Sequence, residues 1–137
     1  KNYSSENNRS QIISKNNSKI IMDAYNANPS SVKSALESLS NLAHSKLAII
    51  GDMHELGKSE NIEHQKIVKF ATGLNIDKII FIGYRFKKYE INFKNFYFFN
   101  NKTELHKSNL KLNEKNILIK GSRSMRMETI LNELWWK

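Results

Sequence analysis

Four short stretches of the chain gather the side chains that could do chemistry. They are Asp23-Ala24-Tyr25-Asn26-Ala27-Asn28-Pro29, Gly51-Asp52-Met53-His54-Glu55-Leu56-Gly57, Gly83-Tyr84-Arg85 and Lys120-Gly121-Ser122-Arg123-Ser124-Met125-Arg126. Each follows directly on an apolar run. Carboxylates, amides, hydroxyls, a lysine and arginines in such groups suit the grip on a polar, charged small molecule. At any one stretch the competing reading is structural, since Gly ends strands and Asp and Asn make turns. Several charged stretches at equivalent places favour a site.

The motifs that are missing narrow the chemistry. The chain has no G-x-x-x-x-G-K-[ST] phosphate loop and no G-x-G-x-x-G fingerprint, which disfavours a self-contained NTPase or dinucleotide enzyme. His54-Glu55 lacks the second His of a zincin, and no G-x-S-x-G elbow occurs. His44, His64 and His106 stand without companions and are expected to be surface residues. With no cysteine there is no disulfide framework, thiolate zinc site or thiol nucleophile.

The elements that must position these residues can be read from the apolar pattern. Strands are expected at Lys19–Asp23, Leu47–Ile50, Lys78–Ile82, Asn95–Phe99 and Asn116–Lys120. Between them lie helical patterns. Pro29 to Ala43 has Asn28 as N-cap and a stripe of Val32, Ala35, Leu36, Leu39, Leu42 and Ala43. A second helix starts near Ser59, carries Ile67, Phe70, Ala71 and Leu74, and has Gly73 as a candidate C-terminal cap. A short third begins at Asn101, with Glu104 completing a capping box. The last carries Met127, Ile130, Leu131 and Leu134, with Trp135 and Trp136 packing its end. Tyr84 to Lys94 fits neither period. Strands apolar throughout are buried on both faces, and strand–helix alternation points the same way. The expected fold is α/β: an open, mostly parallel sheet of about five or six strands with helices on both faces. In such a sheet ligands bind beyond the carboxyl ends of the strands, where the four stretches fall.

Length and charge set the outer bounds. At 137 residues one domain, 1–137, is expected, with a real core. The formal charge of +9 comes from 18 Lys and only 4 Arg, scattered along the chain. Together with 18 Asn and 16 Ile this reads as A/T-rich coding, so no nucleic-acid partner is expected. No apolar run reaches the ~20 residues that span a bilayer, and Lys1 to Ser5 has no export signal's apolar region. No membrane partner and a cytoplasmic location are expected.

Taken together, the stretches resemble the Mur ligase family. The pieces are Asn8-Arg9-Ser10-Gln11, Asp23 to Pro29, Gly51 to Gly57, and Lys120-Gly121-Ser122-Arg123-Ser124-Met125-Arg126-Met127-Glu128, in family order over nearly the whole chain. They are most similar to the C-terminal domain of the member that joins D-alanyl-D-alanine to UDP-N-acetylmuramoyl tripeptide. The resemblance implies a Rossmann-like domain of an ATP-dependent amide-forming ligase of peptidoglycan synthesis, acting through an acyl phosphate. The N-terminal domain and the central ATPase domain, which mainly holds Mg2+, are absent from this chain, so the fragment alone is expected to be inactive. The alternatives are a free-standing α/β module for a nucleotide or anion, or another amino-acid-adding ligase.

The resemblance also implies roles for particular residues. Arg9, Asp23, Tyr25 and Asn26 would bind ATP, Asp23 by accepting from the ribose and Arg9 at the domain junction near the phosphates. Asn28, Lys120, Ser122 and Arg123 would bind the incoming dipeptide, whose terminal carboxylate suits the planar fork of arginine. The loop there would open the last helix and add its N–H groups and dipole. Asp52 and Glu55 would either orient the amine or be structural. No catalytic residue and no metal ligand are expected within this domain.

Overall fold

A computed structural model describes residues 10–134. Asn8, Arg9, Trp135 and Trp136 lie outside the described residues. Six strands form one sheet: β1 (Ser10–Lys15), β2 (Ser18–Asp23), β3 (Lys46–Gly51), β4 (Lys78–Ile82), β5 (Phe96–Phe99) and β6 (Asn116–Lys120). Their order across the sheet is β1-β2-β6-β3-β4-β5, and only the β1–β2 pairing is antiparallel. The open, mostly parallel sheet expected from the pattern is therefore present. β3 and β6 run through its centre with every residue buried, which is why they read as unbroken apolar runs.

Helices α1 (Pro29–Ser40), α2 (Glu60–Ala71) and α3 (Tyr84–Lys87) cover one face; α4 (Lys102–Lys107) and α5 (Thr129–Leu134) cover the other. Two apolar clusters result. Val32, Leu36, Leu39, Ile67 and Phe86 meet Ala48, Ile50, Phe81 and Leu118 on the first face. Leu105, Met127 and Ile130 meet Ile20, Ile49, Ile80 and Ile119 on the second. Each large side chain buried in this way contributes about 1.5–3 kcal/mol.

The caps behave as physical chemistry requires. Asn28 Oδ1 accepts from the Ser31 N–H at 2.9 Å at the start of α1. Asn101 does the same for Glu104 N–H, while Glu104 reaches back to the Asn100 N–H, one residue earlier than a capping box would have it. Helix α1 stops at Ser40, short of the expected Ala43. His44 turns to φ 73° in the link to β3, and buried Lys46 donates to the Ser40 and Leu42 carbonyls at 3.0 Å, satisfying the helix end. Helix α2 ends at Ala71 with Thr72 as its C-cap, and Gly73 follows without a left-handed φ. The last helix begins later than expected: Arg123–Met125 is a single 3-10 turn, Arg126 takes a left-handed conformation, and α5 starts at Thr129. Ser122 and Arg123 therefore open a single 3-10 turn and not the last helix, whose first residue is Thr129.

Candidate functional site

Because β2, β6, β3 and β4 are parallel neighbours, their carboxyl ends lie side by side on one edge of the sheet. Three of the four chemistry-bearing stretches meet there around an open pocket of about 540 Å³ lined by Asn26, His54, Glu55, Ser122, Arg123, Ser124, Arg126 and Glu128. The fourth turns away and braces the edge.

On the β2 side, Tyr25 is partly exposed and the Arg123 guanidinium lies over its ring, 5.0 Å from the ring centre. Arg123 Nη1 is 3.5 Å from the Tyr25 hydroxyl. The two residues thus join the loops after β2 and β6. Beneath them Lys120 is buried; its ammonium donates to Asp23 Oδ2 at 2.8 Å and to the Asn26 carbonyl at 2.9 Å. Asn28 stands at the end of this loop, with its side-chain oxygen used as the α1 cap.

The β6 and β3 loops are laced together. Gly51 and Gly121 sit next to each other, and an added Cβ at Gly121 would meet Met127 Cγ at 2.6 Å and Gly51 Cα at 3.3 Å. Their bareness lets Met127 lie on the sheet edge and draw the 123–128 segment over it. Ser122 donates its N–H to the Asp52 carbonyl at 3.3 Å, and its hydroxyl accepts from the His54 N–H at 2.7 Å. The His54 ring Nδ1 pairs with the Ser124 hydroxyl.

Asp52 belongs to the bracing. It is buried, and its carboxylate accepts from the N–H groups of Arg85 and Phe86, both at 3.0 Å, capping α3. Gly83 makes room: at φ 130° an added Cβ would come within 2.2 Å of the Asp52 carboxylate. Arg85 adds ion pairs to Asp52 at 3.6 Å and Glu60 at 2.8 Å. Its guanidinium holds the Glu60 carboxyl below the usual range, and Glu60 in turn raises Arg85.

His64 corrects the surface expectation. It is fully buried on α2. Nε2 accepts from the Met53 N–H at 2.9 Å, which leaves Nδ1 as the donor to the Glu60 carbonyl at 2.7 Å. Burial lowers its pKa, so the neutral ring is the folded form. His44 is exposed and His106 half-buried.

Of the site residues inferred from sequence, Asn26, Ser122 and Arg123 line the pocket, Tyr25 backs Arg123, and Asp23 and Lys120 pair below. Arg9 falls outside the described residues. His54, Ser124, Arg126 and Glu128 also line the pocket though no role was assigned to them. Each stands inside a stretch already singled out, which was the available signal.

A model of the family described as "Mur ligase, glutamate ligase domain" matches residues 8–123. The chain belongs to the Mur ligase family. Among curated relatives, it is 40% identical over 132 residues to the UDP-N-acetylmuramoyl-tripeptide–D-alanyl-D-alanine ligase of Buchnera aphidicola subsp. Baizongia pistaciae, covering 93% of this chain and 29% of the relative. It is 37% identical over 134 residues to the enzyme of the same name from Rickettsia prowazekii, covering 90% and 29%. Among solved structures, UDP-N-acetylmuramoylalanyl-D-glutamyl-2,6-diaminopimelate–D-alanyl-D-alanyl ligase from Acinetobacter baumannii superposes with a TM-score of 0.81 at 28% identity, over 94% of this chain and 29% of that one. MurF ligase from Thermotoga maritima, solved in complex with ADP, shares the fold at a TM-score of 0.72 and 21% identity, over 91% of this chain and 30% of that one. This Mur ligase chain thus spans under a third of the length of the relatives it matches.

Proposed function

We propose that the chain is the C-terminal domain of an ATP-dependent ligase that adds D-alanyl-D-alanine to UDP-N-acetylmuramoyl tripeptide in cytoplasmic peptidoglycan synthesis. It works with N-terminal and central domains of the same enzyme. The substrate carboxylate is activated as an acyl phosphate, the dipeptide amine attacks it, and the products are the amide, ADP and phosphate. This domain supplies no catalytic group. It closes over the central domain, excludes water from the labile acyl phosphate and holds the attacking amine in place. Mg2+ is assigned to the central domain.

The observation that carries this reading is the convergence of three family segments on one pocket with Arg123 at its wall. Asp23, Tyr25 and Asn26 face the nucleotide, and Arg9 is assigned to its phosphates by the family likeness alone. Ser122 and Arg123 take the terminal carboxylate of the dipeptide, and Asn28 and the Gly51 to Gly57 loop border it. A charge-assisted hydrogen bond contributes about 1.5–3 kcal/mol. In the ligase that contains this domain, Arg123→Ala is expected to raise the KM for D-alanyl-D-alanine roughly ten- to a hundredfold, at tenfold per 1.4 kcal/mol. The KM values for ATP and the muramoyl tripeptide move far less, and Arg123→Lys recovers part of the loss. An unchanged dipeptide KM in a well-folded variant rejects the assignment.

A further inference from the structure

We infer that Lys120 is a positioning residue: its buried ammonium clamps the loop after β2 to the end of β6 and so holds Tyr25 where Arg123 stacks on it. The consequence for ligand binding rests on the reading of Arg123 as the carboxylate contact; the clamp itself does not.

The sheet register places Asp23 directly opposite Lys120. Side chains alternate along a strand, so Lys120 shares the face of Leu118, and that face is the one covered by α1. The ammonium therefore lies under the 24–28 loop. Its side chain is 3% exposed and it does not line the pocket, whereas Asn26, Ser122 and Arg123 do. An ammonium has three N–H donors. Two are used, one on Asp23 Oδ2 at 2.8 Å and one on the Asn26 carbonyl at 2.9 Å. Those two acceptors bracket Tyr25 in the chain. The loop has no regular structure; its far end is fixed by Ala27, buried in the core on the α1 face, and by the Asn28 cap. Tyr25 is thus held between a charge clamp and a helix cap, and the guanidinium of Arg123 rests on the ring so placed.

The test is NMR on the isotope-labelled chain. Arg123 side-chain protons beneath the Tyr25 ring carry a ring-current shift, identified by its loss in Tyr25→Leu. In Lys120→Met that shift is expected to vanish while resonances of the β3 and β4 core stay in place. Lys120→Met leaves Asp23 unpaired and can cost the fold, so Asp23→Asn/Lys120→Met, which removes both charges, is measured beside it; the shift is expected to vanish there too. A retained shift in either folded variant overturns the clamp. In the ligase that contains this domain, the same variants are expected to raise the KM for D-alanyl-D-alanine about tenfold, the scale of one lost charge-assisted contact. A dipeptide KM that Arg123→Ala leaves unchanged rejects the ligand reading, and the ring-current result still decides the clamp.

Discussion

His64 has no exposed surface, yet both of its ring nitrogens are used, by the Met53 N–H and the Glu60 carbonyl. Asp52, Glu60 and Arg85 surround it; the carboxylates favour its protonation, Arg85 opposes it, and burial outweighs them and lowers the pKa below 6.5. The sign of the pH effect follows. An unfolded chain protonates this ring below about 6.5 while the folded one resists, so the unfolded state holds more protons there. The stability from neutral His64 is complete above that pH and is lost as the pH falls toward the folded value. Glu60, held low by Arg85, adds a loss in the same direction further into acid. Denaturant midpoints measured from pH 7.5 to 5 are expected to decline for the wild type. His64→Gln is expected to be less stable at pH 7 and to show a shallower decline between pH 6.5 and 5; an unaltered slope would place the titration elsewhere. The burial of this residue was partly legible, since His64 stands three, four and seven positions before Ile67, Val68 and Ala71, on one helical stripe. Its two backbone partners were not, because one of them comes from a loop eleven residues away. Lys120 shares that history. Its alternation with Leu118 put it on a covered face, while its pairing with Asp23 depends on a register that links residues 97 apart.

At the scale of elements, the apolar runs marked the five parallel strands to within a residue or so, most plainly the inner strands β3, β4 and β6, whose burial on both faces makes the run nearly continuous. The sixth strand, β1, escaped. It is an edge strand with Ile12 63% exposed, and Ser, Gln and Lys around its two isoleucines give no run and no clean alternation. What joins elements at the site was equally hard to read, because it is a contact between two glycines. Gly51 and Gly121 give Met127 its seat, and Met127 holds the 123–128 segment across the β6 and β3 loops. Gly121→Ala places a methyl 2.6 Å from Met127 Cγ with backbone of Gly51 on its other side. Overpacking of this kind costs about 1–3 kcal/mol. The variant is expected to lose that much in denaturant unfolding and to shift the Arg123 and Arg126 amide resonances. Gly73 is the control: its nearest neighbour to an added Cβ is 3.8 Å away and its φ is not positive, so Gly73→Ala is expected to be neutral or to gain about 0.4–1 kcal/mol. Equal losses at the two positions would mean that Met127 does not depend on the glycine seat.

As a whole molecule the chain has a complete two-faced core and one working edge, but within its 137 residues there is no phosphate loop. On the proposed reading the domain is a lid, and a lid binds ligand mainly by trapping it against another domain. On that reading the chain alone would meet nucleotide through the side of the pocket near Asp23, Tyr25 and Asn26, and those contacts must overcome the entropy lost on association. A dissociation constant of 1 mM corresponds to about −4.1 kcal/mol, a reasonable ceiling for a ribose and an adenine held on one side. The isolated chain is therefore expected to unfold cooperatively, to bind ATP with a dissociation constant in the millimolar range or weaker by NMR titration, and to release no ADP with ATP, Mg2+, D-alanyl-D-alanine and the muramoyl tripeptide all present. The titration also separates the two architectures that a sheet edge of this kind permits. Micromolar, base-specific ATP binding would mean a free-standing nucleotide module with a self-sufficient pocket. ADP release dependent on D-alanyl-D-alanine would mean that phosphoryl chemistry is built into this domain, and would remove the division of labour on which Arg123 is assigned to the dipeptide.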